Sequence, residues 1–404
     1  MPALVISSDA GGGAAIWWTQ HANGNLVSAS LRILGTVQRR RRDCVSPVRP
    51  LRQEDLPEVT DLYEMRLSGG RRARHGMVEH FQHQFLAAPT VDPDIPSLVA
   101  TDGVGRVIGF LGASVVPMML DDQRVGAVVT GPLFTEPDAR LVSVLLLRSL
   151  LAGPQALTFS DKHNLDAHRL FVRLGARVVH PRCVWWDASL RPVERRLAGA
   201  MARRLPMSTR LLRPVARLAD GVARRRRRLR ASNDALVAEP LTPALVARHL
   251  DELTGWARLR PVYEEAFLSW RFEQLGLARR LGPMHARALR DVDGGLVGWF
   301  VLLVPPGGVA TAVQVVARDG SEEAVLEYLI AVAEGGGAVA VRGRLEPELA
   351  FAVRGLSCTL HQRACLLVHT TRDDVWDALT QERTFLTLLD GEPWLAEMHE
   401  GRST

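Results

Sequence analysis

The chain has 404 residues, of which 47% are hydrophobic and 23% are charged, the composition of a globular protein with two or three domains. No apolar stretch is long enough to span a bilayer, and the N-terminal region lacks the basic start and apolar centre of a signal peptide, so we expect a cytoplasmic protein. The four cysteines form no CxxC pair. We therefore expect unpaired buried thiols and no metal site, with a Cys358–Cys365 disulfide as the alternative.

Residues 1–46 are rich in glycine and serine and end near the basic run Arg39–Arg42. This composition predicts a poorly structured N-terminal extension, or a start codon placed too far upstream. From Val48 onward the pattern tightens. Apolar residues recur at helical spacing between Leu56 and Leu67 and predict the first helix.

Short β-like runs follow the first helix and then alternate with helices. The predicted strands are Ser97–Thr101, Val107–Val116, Arg124–Phe134, Ala156–Ser160 and Val178–Trp186, and the predicted helices are Leu141–Leu151 and Leu165–Leu174. This order predicts an α/β fold with a mixed, mostly antiparallel sheet flanked by helices.

A basic segment separates two halves of the chain. Residues 191–230 hold 14 arginines and two acids, so the rest of the chain is net acidic although the whole chain has a net charge of +6. Residues 191–231 are predicted to form an Arg-rich helical linker that either packs on the protein or lies on an anionic membrane surface, and we favour packing. No aromatic residue interrupts Arg224–Arg228, so no nucleic-acid partner is expected.

The same order of elements recurs after the linker. The predicted helices are Pro243–Trp256, Glu264–Leu275, Glu322–Ala333 and Pro347–Val353, and the predicted strands are Met284–Asp291, Leu296–Val304, Ala310–Ala317, Ala338–Arg342 and Ala364–His369. The recurrence predicts a duplication, with domains at 47–190 and 232–398 and a short tail at 399–404.

Two segments of the first half match a known family pattern. In the segment that begins at Asn164, an alanine stands three positions later, the aromatic Phe171 seven positions later and a glycine eleven positions later. Ahead of it, Gly131–Arg140 has the form of a strand and turn that lead into a helix. Residues 48–188 therefore resemble the GNAT superfamily, the GCN5-related N-acetyltransferases. The second half resembles the same family more faintly, as a degenerate second copy of a tandem protein.

The resemblance implies an acyl-CoA site at the start of the helix that follows the third long strand. A helix start offers unpaired backbone N–H groups to the CoA diphosphate. The implied cofactor-binding residues are Val129, Gly131, Arg140, Leu141, Val142, Ser143, Val144, Asn164 and Phe171. Ser143 and Leu145 stand where the family carries small residues, and Asn164 has a second interpretation as the N-cap of its helix.

The resemblance also implies the type of chemistry. In this family an amine attacks the acyl thioester directly, and an acid, often a tyrosine, reprotonates the CoA thiolate. This chain has Phe171 at the tyrosine position. The catalytic group is therefore unknown, and Ser160, Asp161 and His163 are the candidates nearby in the sequence.

The corresponding loop of the second half is acidic. Glu322 and Glu323 open the predicted helix, which suits the helix dipole but repels a diphosphate. We therefore expect the second domain to be structural, to shape the acceptor site or to form a homodimer, rather than to bind CoA.

These patterns predict an acyltransferase that moves an acetyl or related acyl group from acyl-CoA to a small-molecule or peptide amine. The alternative is a GNAT-fold binding or scaffold protein without CoA chemistry, attached to anionic surfaces through residues 191–230. The sequence holds no acidic or aromatic cluster that identifies the acceptor.

Overall fold

The computed structural model describes most of the chain between residues 48 and 391. The described residues are 16–18, 29–31, 48–67, 76–190, 236–278, 281–356, 358–363 and 365–391. Residues 1–45 form a unit of their own, in which strands β1 (Ile16–Trp18) and β2 (Ala29–Leu31) pair antiparallel. The predicted linker (191–231) and tail (399–404) lie outside the described residues.

The larger unit contains two mixed sheets flanked by helices. Its strands are β3 (Arg49–Pro50), β4 (Leu98–Thr101), β5 (Val107–Leu120), β6 (Gln123–Thr135), β7 (Leu157–Ser160), β8 (Arg177–Val179), β9 (Val184–Ser189), β10 (Val237–Pro240), β11 (Leu259–Pro261), β12 (Met284–Arg290), β13 (Leu296–Leu303), β14 (Val309–Ala317), β15 (Ala340–Arg344), β16 (Cys358–Gln362) and β17 (Leu366–His369). Its helices are α1 (Leu56–Leu67), α2 (Met77–Phe85), α3 (Arg140–Leu151), α4 (Leu165–Arg173), α5 (Pro243–Thr254), α6 (Glu265–Leu277), α7 (Glu322–Gly335), α8 (Ala350–Gly355) and α9 (Asp373–Thr380). The predicted α/β fold class is confirmed, and most predicted elements are present. The elements of this unit without a counterpart in the prediction are α2, α9, β3, β10, β11 and β16.

The order of strands in each sheet differs from their order along the chain. The first sheet runs β3-β4-β5-β6-β7-β17-β8, with β11 paired to β5, and the second runs β10-β12-β13-β14-β15-β9-β16. Strand β17 comes from the second half of the chain and pairs antiparallel with β7 and β8. Strand β9 comes from the first half and pairs antiparallel with β15 and β16. The two halves therefore exchange their last strands.

The exchange begins at a turn that corrects one predicted element. The sequence predicts a single strand over Val178–Trp186, but a 3-10 turn at His180–Cys183 interrupts it, and the two parts join different sheets. Pro181 has no N–H to donate to a strand ladder, which explains the break. The predicted boundaries at residues 190 and 232 divide the sequence but not the sheets, so two separate domains remain a prediction.

A disulfide bond joins the starts of the two exchanged strands. Cys183 lies directly before β9, Cys365 lies directly before β17, and their sulfurs are bonded, whereas Cys358 is free and half-buried. The expectation of unpaired thiols is therefore wrong for this pair, and the Cys358–Cys365 alternative does not form. The bonded cysteines are 182 residues apart in the sequence, and the strand exchange, which cysteine spacing does not disclose, brings them together.

Helices bury the faces of the two sheets. Helices α3 and α4 cover one face of the first sheet through residues such as Val142 and Phe171. Helices α7 and α8 cover one face of the second sheet through Leu326, Leu329 and Val353. The other faces share a large cluster, to which α1, α2, α5 and α6 all contribute, and α9 covers a further cluster on the first sheet. Because one cluster serves both halves, neither half has a complete core of its own.

Candidate active site

Two parallel strands of the first sheet separate partway along their length. Strand β6 pairs with β7 over Ala127–Val129, opposite Leu157–Phe159, and then continues along β5 to Thr135. We call this divergence beyond Val129 and Phe159 the first fork. A β-bulge lies at its mouth, because Gly131 and Pro132 together oppose Gly112, and a bulge bends the strand that carries it.

Glycine is required at the bulge because other groups approach the backbone closely. A Cβ on Gly112 would lie 2.6 Å from Cε1 of Phe85, and one on Gly131 would lie 3.2 Å from Cα of Gly112. A larger residue at position 112 would therefore displace Phe85 from a packed core. Two predicted cofactor-binding residues lie here: Val129 ends the pairing with β7, and Gly131 opens the bulge.

Helix α3 begins beyond the fork without an acidic side chain. Its N-cap, Ala139, gives no side-chain hydrogen bond, and its first turn contains no acid. As at any helix start, the first backbone N–H groups have no partner inside the helix and form the positive end of its dipole. The predicted diphosphate-binding residues Arg140–Val144 are this start, although the side chain of Arg140 lies outside the described part.

The side chains at the start of α3 point in different directions. Leu141 is 78% exposed and Leu145 is 44% exposed. Val142 is buried, and a Cβ on Gly109 would lie 2.6 Å from its Cγ1, so α3 packs tightly on β5 at that point. Ser143 is half-buried. The bulky Leu145 is therefore a surface residue and does not fill the core.

The end of β7 brings two of the predicted catalytic residues together. Oγ of Ser160 lies 3.5 Å from Nδ1 of His163, and Nε2 of His163 lies 3.2 Å from Nδ1 of His168. Burial, with a smaller contribution from His168, lowers the pKa of His163 to about 4. Its imidazole is therefore neutral at pH 7 and able to accept a proton. His168 is a site residue that the sequence prediction misses, although its place one turn into α4 was a usable signal.

Asp161, the third predicted catalytic residue, contacts the second half of the chain. Its buried carboxylate lies 3.6 Å from Nη1 of Arg344 at the end of β15. A Cβ on Gly391 would lie 1.8 Å from Oδ2 of Asp161, so the C-terminal segment passes directly over this carboxylate. Asp161 is therefore enclosed between the two halves, where its charge balances that of Arg344.

The other two predicted cofactor-binding residues have clear structural roles. Oδ1 of Asn164 accepts a hydrogen bond of 2.8 Å from the backbone N–H of Ala167, which makes Asn164 the N-cap of α4. Phe171 is buried among the residues that α3 and α4 pack on the sheet. Its ring has no proton to donate.

The second sheet contains a matching divergence, which we call the second fork. Strand β14 pairs with β15 over Val309–Thr311, opposite Ala340–Arg342, and then separates from it. A bulge follows on β14 as well, because Val301 faces Gln314 whereas Leu302 faces Ala312. The duplication predicted from the order of elements therefore extends to the position of the fork.

A buried hydrogen-bond network occupies the second fork. The hydroxyl of Tyr263 donates to Oδ1 of Asp390 at 2.5 Å. Nε2 of Gln314 donates to the Tyr263 oxygen at 3.1 Å and to Oγ1 of Thr387 at 3.2 Å, and Nε1 of Trp299 donates to Oε1 of Gln314 at 3.0 Å. Burial raises the pKa of both Asp390 and Tyr263. The sequence prediction misses all of these residues.

The helix start beside the second fork is occupied by its own acid. Glu322, in the first turn of α7, accepts a hydrogen bond of 3.1 Å from the backbone N–H of Gly320 through its side chain. Glu323 adds a second acid to the same turn. The predicted contrast between the two helix starts is therefore present in the structure, and the second start is unsuited to a diphosphate.

The described residues show neither a metal cluster nor a membrane span. No group of three or more histidine, cysteine or acidic side chains within them is placed to hold a metal ion. Among these same residues, no helix combines the length and the apolar character needed to cross a bilayer.

Solved structures with a similar fold bear acyltransferase names. A GCN5-related N-acetyltransferase from Anabaena variabilis superposes with a TM-score of 0.52 at 11% identity, over 82% of this chain and 74% of that one. A conserved protein of unknown function from Enterococcus faecalis, described as a probable N-acyltransferase, gives a TM-score of 0.52 at 10% identity, over 83% and 73%. A GCN5-related N-acetyltransferase from Kribbella flavida gives 0.50 at 15% identity, over 81% and 71%. No protein-family model and no curated protein matches the sequence, so the likeness is one of fold.

Proposed function

The chain has the fold of the GCN5-related N-acetyltransferases, and on that premise we propose that it transfers an acetyl or related acyl group from acyl-CoA to an amine. One observation supports the proposal above all: the first turn of the helix at the first fork holds no acid, whereas the first turn of the helix at the second fork holds Glu322 and Glu323. A diphosphate meets an attractive potential at α3 and a repulsive one at α7.

The donor site in this proposal follows the first fork. The backbone of β6 from Val129 to Gly131 faces the space left by β7 and is available to the amide groups of the pantetheine arm. The start of α3, Arg140–Val144, receives the diphosphate through those of its backbone N–H groups that have no partner inside the helix, and Asn164 and Phe171 lie on the far side of the fork. The residues fit such a donor because the bulge is bare of side chains at Gly131 and no acid stands in the first turn of α3. When bound, acyl-CoA supplies an activated acyl group as a thioester.

The proton path in this proposal uses the chain of Ser160, His163 and His168. Nδ1 of His163 faces Oγ of Ser160, so the attacking amine releases its proton to Ser160 while Ser160 passes its own proton to His163. Nε2 of His163 faces His168, which fixes the orientation of the ring. Because burial lowers the pKa of His163 to about 4, its imidazole would hold such a proton weakly and would release it readily.

Several finer expectations belong to the same proposal. The acceptor is a small-molecule or peptide amine, and the compartment is the cytoplasm. Formation of a homodimer and attachment of residues 191–230 to an anionic membrane surface stay predictions that no contact in the described residues addresses.

Titration calorimetry with acetyl-CoA tests the donor site. We compare the wild type with Leu141→Glu, which places an acid in the first turn of α3 as Glu322 does in α7. Leu141 is 78% exposed, and an acid there favours the helix dipole, so the variant keeps its fold. We expect its affinity for acetyl-CoA to fall about tenfold or more, because a fixed anion then faces the diphosphate.

Phe351→Glu is the matched control for Leu141→Glu. Phe351 also occupies the second position of a helix and is 86% exposed, but it lies on α8, in the other half of the chain. Its variant is expected to bind acetyl-CoA as the wild type does. An absence of heat with wild-type protein at millimolar acetyl-CoA would remove the enzyme proposal and leave the alternative, a GNAT-fold scaffold without CoA chemistry.

A further inference from the structure

A small cavity lies behind the bulge of the first fork, on the sheet face opposite α3. It is about 20 Å³, which exceeds the minimum volume that a buried water molecule needs. Helix α2, strand β5, helix α6 and the loop that contains Thr90 and Asp92 form its walls. Phe85 is common to both sites, because it lines the cavity and also packs against Gly112 at the bulge.

Two neutral polar side chains face this cavity without a protein partner. Gln84 is 1% exposed, and neither its Oε1 nor its Nε2 has a hydrogen-bond partner in the structure. The same holds for Oγ of Ser114 on β5, which is 9% exposed. A buried polar group that makes no hydrogen bond destabilises the fold. Two such groups on neighbouring walls of one cavity therefore indicate that a bound group completes their hydrogen bonds.

A fully buried cation completes the lining of the cavity. Arg271 on α6 is 0% exposed, and its guanidinium lies 5.0 Å from the ring centre of Phe267 and 5.3 Å from that of Trp270. Burial lowers the pKa of Arg271 to about 9, so it remains charged at neutral pH. Asp390 and Asp161 are nearby anions that favour this charge.

We infer that this cavity is a subsite for a carboxylate carried by the acceptor, bound by Gln84, Ser114 and Arg271. An amide N–H₂, a hydroxyl and a guanidinium all donate hydrogen bonds, and a carboxylate is an acceptor-only group that suits such donors. The inference deepens the proposed function, since it narrows the acceptor to amines that also bear a carboxylate. Arg271 comes from the second half of the chain, so the degenerate half helps to select the substrate of the first.

The positions of these helices also give the side of the sheet from which the acceptor approaches the bulge. Helices α2 and α6 lie on one face of the first sheet, and α3 lies on the other. A carboxylate held between Gln84 and Arg271 therefore leaves the rest of the acceptor on the side away from α3. Donor and acceptor then reach the bulge from opposite faces, which keeps the two binding sites separate.

Binding of acetate and acetamide to the whole protein tests the subsite without the acyl donor. Acetamide has the size and shape of acetate but no charge. At constant ionic strength, saturation-transfer NMR is expected to show acetate bound about tenfold more tightly than acetamide. Gln84→Met keeps the length of the side chain and removes its hydrogen-bonding groups, and is expected to weaken acetate binding about tenfold.

Gln82→Met is the matched control, since Gln82 lies on the same helix and does not line the cavity. It is expected to bind acetate as the wild type does. If Gln84→Met unfolds, Ser114→Ala serves in its place and is likewise expected to weaken acetate binding. Equal binding of acetate and acetamide by the wild type, or unchanged acetate binding by the folded variant, would overturn the inference. Because acetyl-CoA is absent from these samples, a failed donor site and a failed carboxylate subsite give different results.

Discussion

The two forks share a backbone plan but differ in what occupies them. At each fork two parallel strands pair over three residues, and a bulge follows. At the first fork the next helix begins without an acid, and the nearby polar residues Ser160 and His163 contact each other at the edge of the fork. At the second fork Glu322 occupies the helix start, and the C-terminal segment supplies Thr387 and Asp390 to a buried network.

This difference shows that the fold alone does not make a binding site. The second fork retains its strand geometry, but a cavity of only about 10 Å³ is left between Gln314, Arg344 and Thr387. Hydrogen bonds among buried groups stabilise that arrangement, and a ligand would have to break them. In the proposed function, the C-terminal segment thus makes the second copy of the fold a support for the first.

The largest expected effect on stability comes from breaking the ion pair between Arg344 and Asp161, which joins the two forks. Nε of Arg344 donates to Glu346 at 2.9 Å, and its Nη1 lies 3.6 Å from Asp161. Arg344→Met leaves both acids buried without that cation. We expect the free energy of unfolding, measured by urea titration, to fall by about 3–5 kcal/mol.

Arg106→Met is the control for this prediction. Arg106 forms a short ion pair with Glu136 but is 56% exposed, and exposed pairs contribute little to stability. We expect a much smaller change in its urea midpoint. Similar losses in the two variants would mean that the contact between Arg344 and Asp161 does not hold the halves together.

The second largest expected effect on stability comes from removing the disulfide that joins the exchanged strands. Cys183→Ser removes the covalent link between the starts of β9 and β17. The free energy of unfolding is expected to fall by about 2–4 kcal/mol under oxidising conditions, because the unfolded chain regains the freedom of a long closed loop. Thermal unfolding with and without dithiothreitol measures this change. Cys358→Ser is the control, since Cys358 is a free thiol.

A thiol reductant should bring the wild type to the level of Cys183→Ser and leave that variant unchanged. A wild type that is insensitive to dithiothreitol while its disulfide is reduced would show that the strand exchange is stable without its covalent link. The comparison also bears on the compartment, because disulfides persist mainly in oxidising environments.

The sequence predicts the parts of the site that are local. The helix at residue 140, the cap at Asn164 and the acidic start of the second helix each depend on residues within one turn of each other. Periodicity and capping patterns register such neighbours. For the same reason the sequence brings Ser160 and His163 to attention, since they are three positions apart.

The sequence does not predict the parts of the site that depend on distant pairing. Tyr263 and Asp390 are 127 positions apart, and Gln314 and Tyr263 are 51 positions apart. The disulfide and the exchange of β9 with β17 also join residues that are far apart in the sequence. These contacts form because the two halves share one core, and no local pattern records which residues that core brings together.

The smallest expected effect distinguishes the two interpretations of Asn164. Asn164→Ala removes the side-chain cap of α4 and is expected to lower the free energy of unfolding by about 1 kcal/mol. Ser321→Ala is the matched control, because Ser321 is the N-cap of α7 but makes no side-chain cap hydrogen bond, so its stability should stay unchanged. If Asn164 acts as a cap alone, acetyl-CoA affinity in calorimetry stays the same in both variants. A selective loss of affinity in Asn164→Ala would mean that this residue also contacts the donor, and would place the start of α4, together with that of α3, at the first fork's binding surface.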